Sequence, residues 1–126
     1  MPVRLLSSSV LKWPRRDDVL RALHHWVGRV MRADERVLRV GYTGSLAAGE
    51  WGFGSDIDLV VILHSAQEAW LERARHFDAT ELPVPVDLLV CTEAEWEGKS
   101  SQGRGLRPVV WIDESGAESG AVPGLG

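Results

Sequence analysis

The sequence predicts a small α/β (α+β) domain, a mixed β-sheet of about four strands with helices packed on it. Three observations carry this reading. Apolar runs of strand length recur at 37–43, 57–63, 86–91 and 106–112. Helical segments, rather than tight hairpin turns, separate the first three of them. The chain has 126 residues, 44% hydrophobic and 25% charged, which suits one core and not two. The expected domain is 1–113, followed by a flexible C-terminal tail over 114–126.

Each element has a local reason. Residues 1–14 carry no periodic pattern and read as an irregular lead-in. From Arg15 to Arg32, Leu20, Leu23, Val27, Val30 and Met31 form one stripe beside Trp26, which is helical spacing. Asp17 and Asp18 suit its first turn, where negative charge meets the positive end of the helix dipole. Val37–Thr43 is a strand ending at Gly44-Ser45, then Leu46-Ala47-Ala48 makes one or two helical turns. Gly49–Gly54 is a glycine-rich loop. Ile57–Leu63 is apolar almost throughout, the sign of a strand buried on both faces. Ser65-Ala66-Gln67-Glu68 has capping-box spacing and predicts a helix start, with Ala66, Trp70, Ala74 and Phe77 as its apolar stripe. Pro83 and Pro85 lead into a strand at Val86–Cys91. Thr92-Glu93-Ala94-Glu95 is a second capping box, opening a short helix with Trp96. Leu106–Ile112 reads as a last, edge strand.

Bulk properties exclude several classes. Net charge is −4, so there is no overall basic footprint and nucleic acid is not an expected partner. No apolar run reaches the roughly 18 residues of a membrane span. The N-terminus makes a poor signal peptide, so the cytoplasm is the expected location. Cys91 is the single cysteine and reads as a small buried residue. The six tryptophans read as packing groups. Trp51 and Phe53 lie in the glycine loop, where stacking on a base or acceptor is the alternative to loop packing.

The chemistry concentrates in Ser55-Asp56-Ile57-Asp58. Alternate side chains on a strand share a face, so Asp56 and Asp58 point one way with Val60 and Ile62, and Ile57 points the other. Asp87 begins another apolar strand and shares a face with Leu89 and Cys91. Each acid alone also fits an ordinary turn or capping role. Together they repel. Two unit charges about 4 Å apart oppose each other by about 1 kcal/mol in water and about 4 kcal/mol at an effective dielectric of 20. A hard divalent cation is the expected counterion, because all the donors are oxygens; this suits Mg²⁺ and argues against zinc. Gly44-Ser45 closes the preceding strand, eleven residues before Asp56 counted from Ser45. Glycine permits close backbone approach to a ligand, and the serine hydroxyl adds a donor for phosphate. An ordinary turn is the alternative for this dipeptide taken alone.

The run from Gly44-Ser45 through Gly49 to Ser55-Asp56-Ile57-Asp58-Leu59-Val60-Val61, with Val86-Asp87-Leu88 later, resembles the signature of the minimal nucleotidyltransferases of the DNA polymerase β superfamily. The resemblance covers about residues 15–112 and implies a nucleotidyltransferase-like fold. It implies that Asp56 and Asp58 ligate catalytic metals, two Mg²⁺ ions. It implies that Asp87 helps bind one metal and activates the acceptor hydroxyl, and that Gly44, Ser45 and Ser55 bind the nucleotide. The reaction implied is transfer of a nucleoside monophosphate, foremost AMP from ATP, to a hydroxyl. One position departs from the pattern. Many members carry Arg where Ala48 stands, and the 46–54 loop has no Lys or Arg. Charge neutralisation then falls to metal, backbone, or a distant arginine such as Arg104 or Arg107.

Other patterns fail. Gly98-Lys99-Ser100 lacks the earlier glycine of a phosphate loop, since Glu93 stands there. An aspartyl-phosphate hydrolase would want Thr where Val60 stands. His24-His25 has no ligand set around it in sequence. Minimal members of the resembled family act with a separate partner, often a helical HEPN protein, in toxin–antitoxin pairs where the transferase adenylylates the toxin. That is the expected role here. The alternatives are a binding module that neutralises a partner by contact, and a stand-alone small-molecule transferase whose acceptor pocket a homodimer would form.

Overall fold

In a computed structural model, which describes residues 13–101 and 108–121, the elements follow the predicted order with two changes. Helix α1 runs Arg16–Ala33, strand β1 Val37–Thr43, helix α2 Gly44–Ala48 and strand β2 Ile57–Leu63. Then come a single helical turn α3, Trp70–Arg73, a 3₁₀ turn Ala74–His76 and strand β3 Val86–Thr92. Helix α4 spans Glu93–Ser101, strand β4 Val109–Ile112 and strand β5 Glu118–Ala121.

The five strands form one mixed sheet in the order β3-β2-β1-β4-β5. β2 and β3 are parallel, and the other pairs are antiparallel. One face carries the main core. Val19, Leu23, Trp26 and Val27 of α1 pack on Val40, Tyr42, Ile57, Leu59, Val61 and Leu63. The stripe on α1 is thus rotated from the predicted one. Val19 and Trp26 are buried, whereas Leu20, Val30 and Met31 are only partly so. The opposite face holds a smaller cluster of Val60, Ile62 and Cys91 with Leu89, Trp96 and Trp111. β2 is therefore buried on both sides, as its almost continuous apolar run predicted, and Cys91 is buried.

The two capping boxes behave differently. Thr92 and Glu95 exchange bonds as the pattern requires. The Thr92 N–H donates to Glu95 Oε1 at 2.8 Å, and the Glu95 N–H donates to Thr92 Oγ1 at 3.3 Å. Arg73 also grips Glu95 at 2.6 Å and 3.2 Å, which holds the Glu95 carboxyl below its ordinary range. At 65–68 the predicted helix start is corrected: residues 65–69 are irregular and the helix begins only at Trp70. Glu68 is engaged elsewhere. Arg36 Nη1 donates to both its oxygens, at 2.9 and 3.0 Å, and His76 approaches at 3.0 Å. A carboxylate held by those partners cannot reach back to cap Ser65.

The sheet has five strands rather than about four. The expected tail is corrected between 114 and 121, where the chain turns and pairs with β4. Asp113 makes the turn: its Oδ1 accepts from Ser115 N–H, Ser115 Oγ and Ala117 N–H. β4 is consequently an interior strand, not the edge. Glu118 ties the hairpin back to the core. Tyr42 Oη donates to its Oε1 at 3.1 Å, and His24 Nε2 lies 2.6 Å from its Oε2. Residues 1–12, 102–107 (with Arg104 and Arg107, the glycines at 103 and 105 and the start of the predicted last strand) and 122–126 lie outside the described residues. Among the described residues, no helix is long and apolar enough to cross a membrane.

Candidate active site

β1 runs toward the site and β2 runs away from it, so the end of one meets the start of the other. Thr43 pairs with Asp58 across the ladder. At the same level on the other side, Asp58 is in register with Asp87 of parallel β3. Adjacent strands lie about 4.8 Å apart, so the backbones of these two aspartates are immediate neighbours. Val60 and Ile62, with Leu89 and Cys91, continue beneath them on the same face as apolar cluster. The two-residue period pairs Asp56 with Asp58 on one face; the strand register sets Asp58 beside Asp87 at the rim, and Asp56 precedes the strand.

The turn between β1 and α2 presses on this rim. Gly44 has φ +70°, a left-handed backbone that favours glycine. A Cβ there would fall inside contact distance of Asp58 Oδ2, with Asp58 Cγ at 3.2 Å. Thr43 caps nothing with its hydroxyl; Oγ1 instead donates to Pro108 O at 2.7 Å and draws the start of β4 over the turn. Gly49, at φ +76°, ends α2 in a left-handed cap and releases the chain into the loop.

A cavity of about 490 Å³ opens here, lined by Gly44, Ser45, Ala48, Glu50, Asp56, Asp58 and Pro108. Four of the predicted residues, Gly44, Ser45, Asp56 and Asp58, therefore meet around one space. Asp87 is exposed beside Asp58 but outside the lining. Ser55 turns toward its own loop: the Gly52 N–H donates to its Oγ at 3.1 Å, and it too lies outside the lining. Asp56 is exposed and sits one residue before β2. Among the described residues no three Asp, Glu, His or Cys side chains stand together as a ready ion site. Asp58 and Asp87 are the pair in register, and Asp56 lies in the loop one residue before β2.

Sequence reasoning did not single out Glu50 or Pro108 as cavity residues. Neither carries a signal, because both arrive through tertiary folding of loops. Trp51 does not face a ligand with its N–H; Nε1 donates to Pro14 O at 2.9 Å, and the ring packs on the main core. Phe53 is 68% exposed and meets Trp13 edge-on, with centroids 5.2 Å apart. The described lining is acidic, with Glu50, Asp56 and Asp58 and no Lys or Arg.

Comparison with known proteins agrees with this geometry. Residues 27–110, more than half of the chain, match the family described as nucleotidyltransferase domain. Among solved structures, the chain resembles a protein from Sulfolobus solfataricus provisionally assigned as a nucleotidyltransferase, at a TM-score of 0.56 and 20% identity. The likeness covers 70% of this chain and 84% of that one, and at this identity it speaks for the fold. Comparison with curated proteins gives no match. With Gly44-Ser45 at one end of the motif and Asp58 beside Asp87 at the other, inside the matched span, the chain belongs to the nucleotidyltransferase domain family.

Proposed function

We propose that this protein transfers a nucleoside monophosphate, with AMP from ATP as the leading case, to a hydroxyl on a helical HEPN-like protein, acting in the cytoplasm as the antitoxin of such a pair. The observation that carries the proposal is the register of Asp58 with Asp87, set against the Gly44 turn that leaves no room for a side chain. The all-oxygen donors suit a hard cation. Asp56, Asp58 and Asp87 would hold divalent cations, Mg²⁺ foremost, whose chemistry is to neutralise phosphate charge and favour ionisation of an attacking hydroxyl. Gly44 and Ser45 offer a backbone N–H and a hydroxyl to phosphate oxygens. Asp87, in register with Asp58 on the neighbouring strand, receives the acceptor's proton as its oxygen bonds to the α-phosphorus and pyrophosphate departs. The test is incubation with the protein encoded beside this one, labelled ATP and Mg²⁺. Label on the partner, lost in Asp56→Ala and Asp58→Ala, is expected; no label, or equal label in the variants, refutes the reading.

A second reading has its own observation. Ala48 and the acidic lining leave the described cavity without a basic group for the triphosphate. This favours a module that neutralises its partner by contact. Titration calorimetry with ATP and Mg²⁺ separates the two, since a contact module shows no binding.

A further inference from the structure

We infer that Trp13 and Trp51 are positioning residues, two halves of a clasp that sets the backbone of Asp56. The inference rests on the reading of Asp56 as a cation ligand. The two indoles bond reciprocally across long sequence distances. Trp13 Nε1 donates to Ser55 O at 3.3 Å, and Trp51 Nε1 donates to Pro14 O at 2.9 Å. Trp51 thus binds the backbone next to Trp13, and Trp13 binds the backbone four residues beyond Trp51, at the far end of the same loop. Both rings are partly buried against the main core, so the clasp is anchored at its base. Phe53 closes its outer side against Trp13.

The position of the Trp13 bond gives it its effect. Ser55 C=O belongs to the same planar peptide unit as the Asp56 nitrogen. Fixing that carbonyl fixes the plane from which Asp56 starts. On the other side, the Ile57 N–H donates to Pro85 O at 3.0 Å, and that peptide unit contains the Asp56 carbonyl carbon. Asp56 therefore hangs between two held peptide planes, although its own side chain is exposed. Unlike Asp58 and Asp87, it has no ladder partner of its own. Glu50, which shares the cavity lining, lies on the same loop. Among the described residues, the loop's remaining bonds, Glu50 N–H to Ser45 O and the Gly52–Ser55 pair, are local and tie it to nothing beyond α2.

The test replaces each indole with phenylalanine, which keeps an aromatic ring and removes the N–H. Mn²⁺ binding to the full chain is followed by electron paramagnetic resonance, and hydrogen exchange is followed over residues 49–57. Trp13→Phe and Trp51→Phe are expected to speed exchange in that segment and to weaken Mn²⁺ binding three- to ten-fold. Trp26→Phe is the comparison: it loses the 2.8 Å bond from Nε1 to Asp78 O, inside the main core, and should lower stability without changing Mn²⁺ binding. Wild-type Mn²⁺ affinity and exchange in both clasp variants, with wild-type binding abolished by Asp58→Asn, overturns the clasp and leaves the site reading standing. The same holds if Trp26→Phe weakens Mn²⁺ as much as they do, because the effect then follows stability alone. Absence of Mn²⁺ binding by the wild-type chain overturns the site reading and the clasp with it.

Discussion

Gly44→Ala should separate the site from the fold. The added methyl group meets two penalties. The first is conformational: φ of +70° in a non-glycine residue costs about 1–2 kcal/mol. For a domain of between about 100 and 150 residues, about 1 kcal/mol moves Tm by roughly 4 °C, so a fall of about 4–8 °C is expected. The second is steric and local. The new Cβ would overlap Asp58 Oδ2. Ordinary carbon–oxygen contact needs about 3.3 Å, so the carboxylate must withdraw by roughly 1 Å. Rotation of an aspartate tip is cheap in stability, but a cation–oxygen bond of about 2.0–2.1 Å does not survive such a shift. Gly49→Ala is the matched comparison, because Gly49 has φ +76° and nothing within 4 Å of its virtual Cβ. Both variants should lose similar Tm by scanning calorimetry. Only Gly44→Ala should weaken Mn²⁺ binding ten-fold or more, a difference of about 1.4 kcal/mol. Equal Mn²⁺ affinity in the two variants would refute the argument that Gly44 is glycine on account of Asp58.

Three further outcomes follow from the packing and the charges. Gly41→Ala would drive a Cβ to 2.7 Å from both Trp111 Cε3 and Val109 Cγ1, so overpacking should destabilise by about 1–3 kcal/mol in urea unfolding, with a change in tryptophan fluorescence. The only tyrosine, Tyr42, is pushed up to about 12 by burial and then by the charge of Glu118; its phenolate absorbance should appear near pH 12 rather than 10, and stability should fall as pH rises from 10 to 12, where only the unfolded chain ionises. Glu95, held low chiefly by Arg73, contributes stability that is present above its ordinary value of 4.5 and lost as pH falls through its lower folded value. Glu95→Gln should therefore be less stable than wild type at pH 7, with the gap narrowing below pH 4 in denaturant titrations.

The parts of this protein that could be read from sequence are those whose cause is local. Val37–Thr43 and Ile57–Leu63 are legible because Gly44-Ser45 follows the first apolar run and Ser55-Asp56 precedes the second. The shared face of Asp58, Val60 and Ile62 follows from the two-residue period alone, whereas the register that sets Asp87 beside Asp58 comes from the pairing of β3 with β2. Where long-range partners decide, local signals fail. Ser65–Glu68 has the same box spacing as Thr92–Glu95, but Arg36 claims Glu68 from the turn before β1. The segment after Glu114 has a tail's composition, yet the Asp113 turn, the β4 ladder and the Tyr42 and His24 contacts to Glu118 give it a place in the sheet. Glu50 and Pro108 reach the cavity by routes that no periodicity encodes.

The parallel pairing of β2 with β3 also has a consequence in time. β1 and β2 are antiparallel neighbours joined by a short connection, and their ladder can close early. β3 joins only after the crossover of residues 64–85 has been brought round, and parallel, non-local pairing is the slower step. Asp58 acquires its neighbour Asp87 only then. Pulsed hydrogen exchange during refolding should find β1 and β2 protected before β3, so that the carboxylate pair is among the last features of the native chain to form.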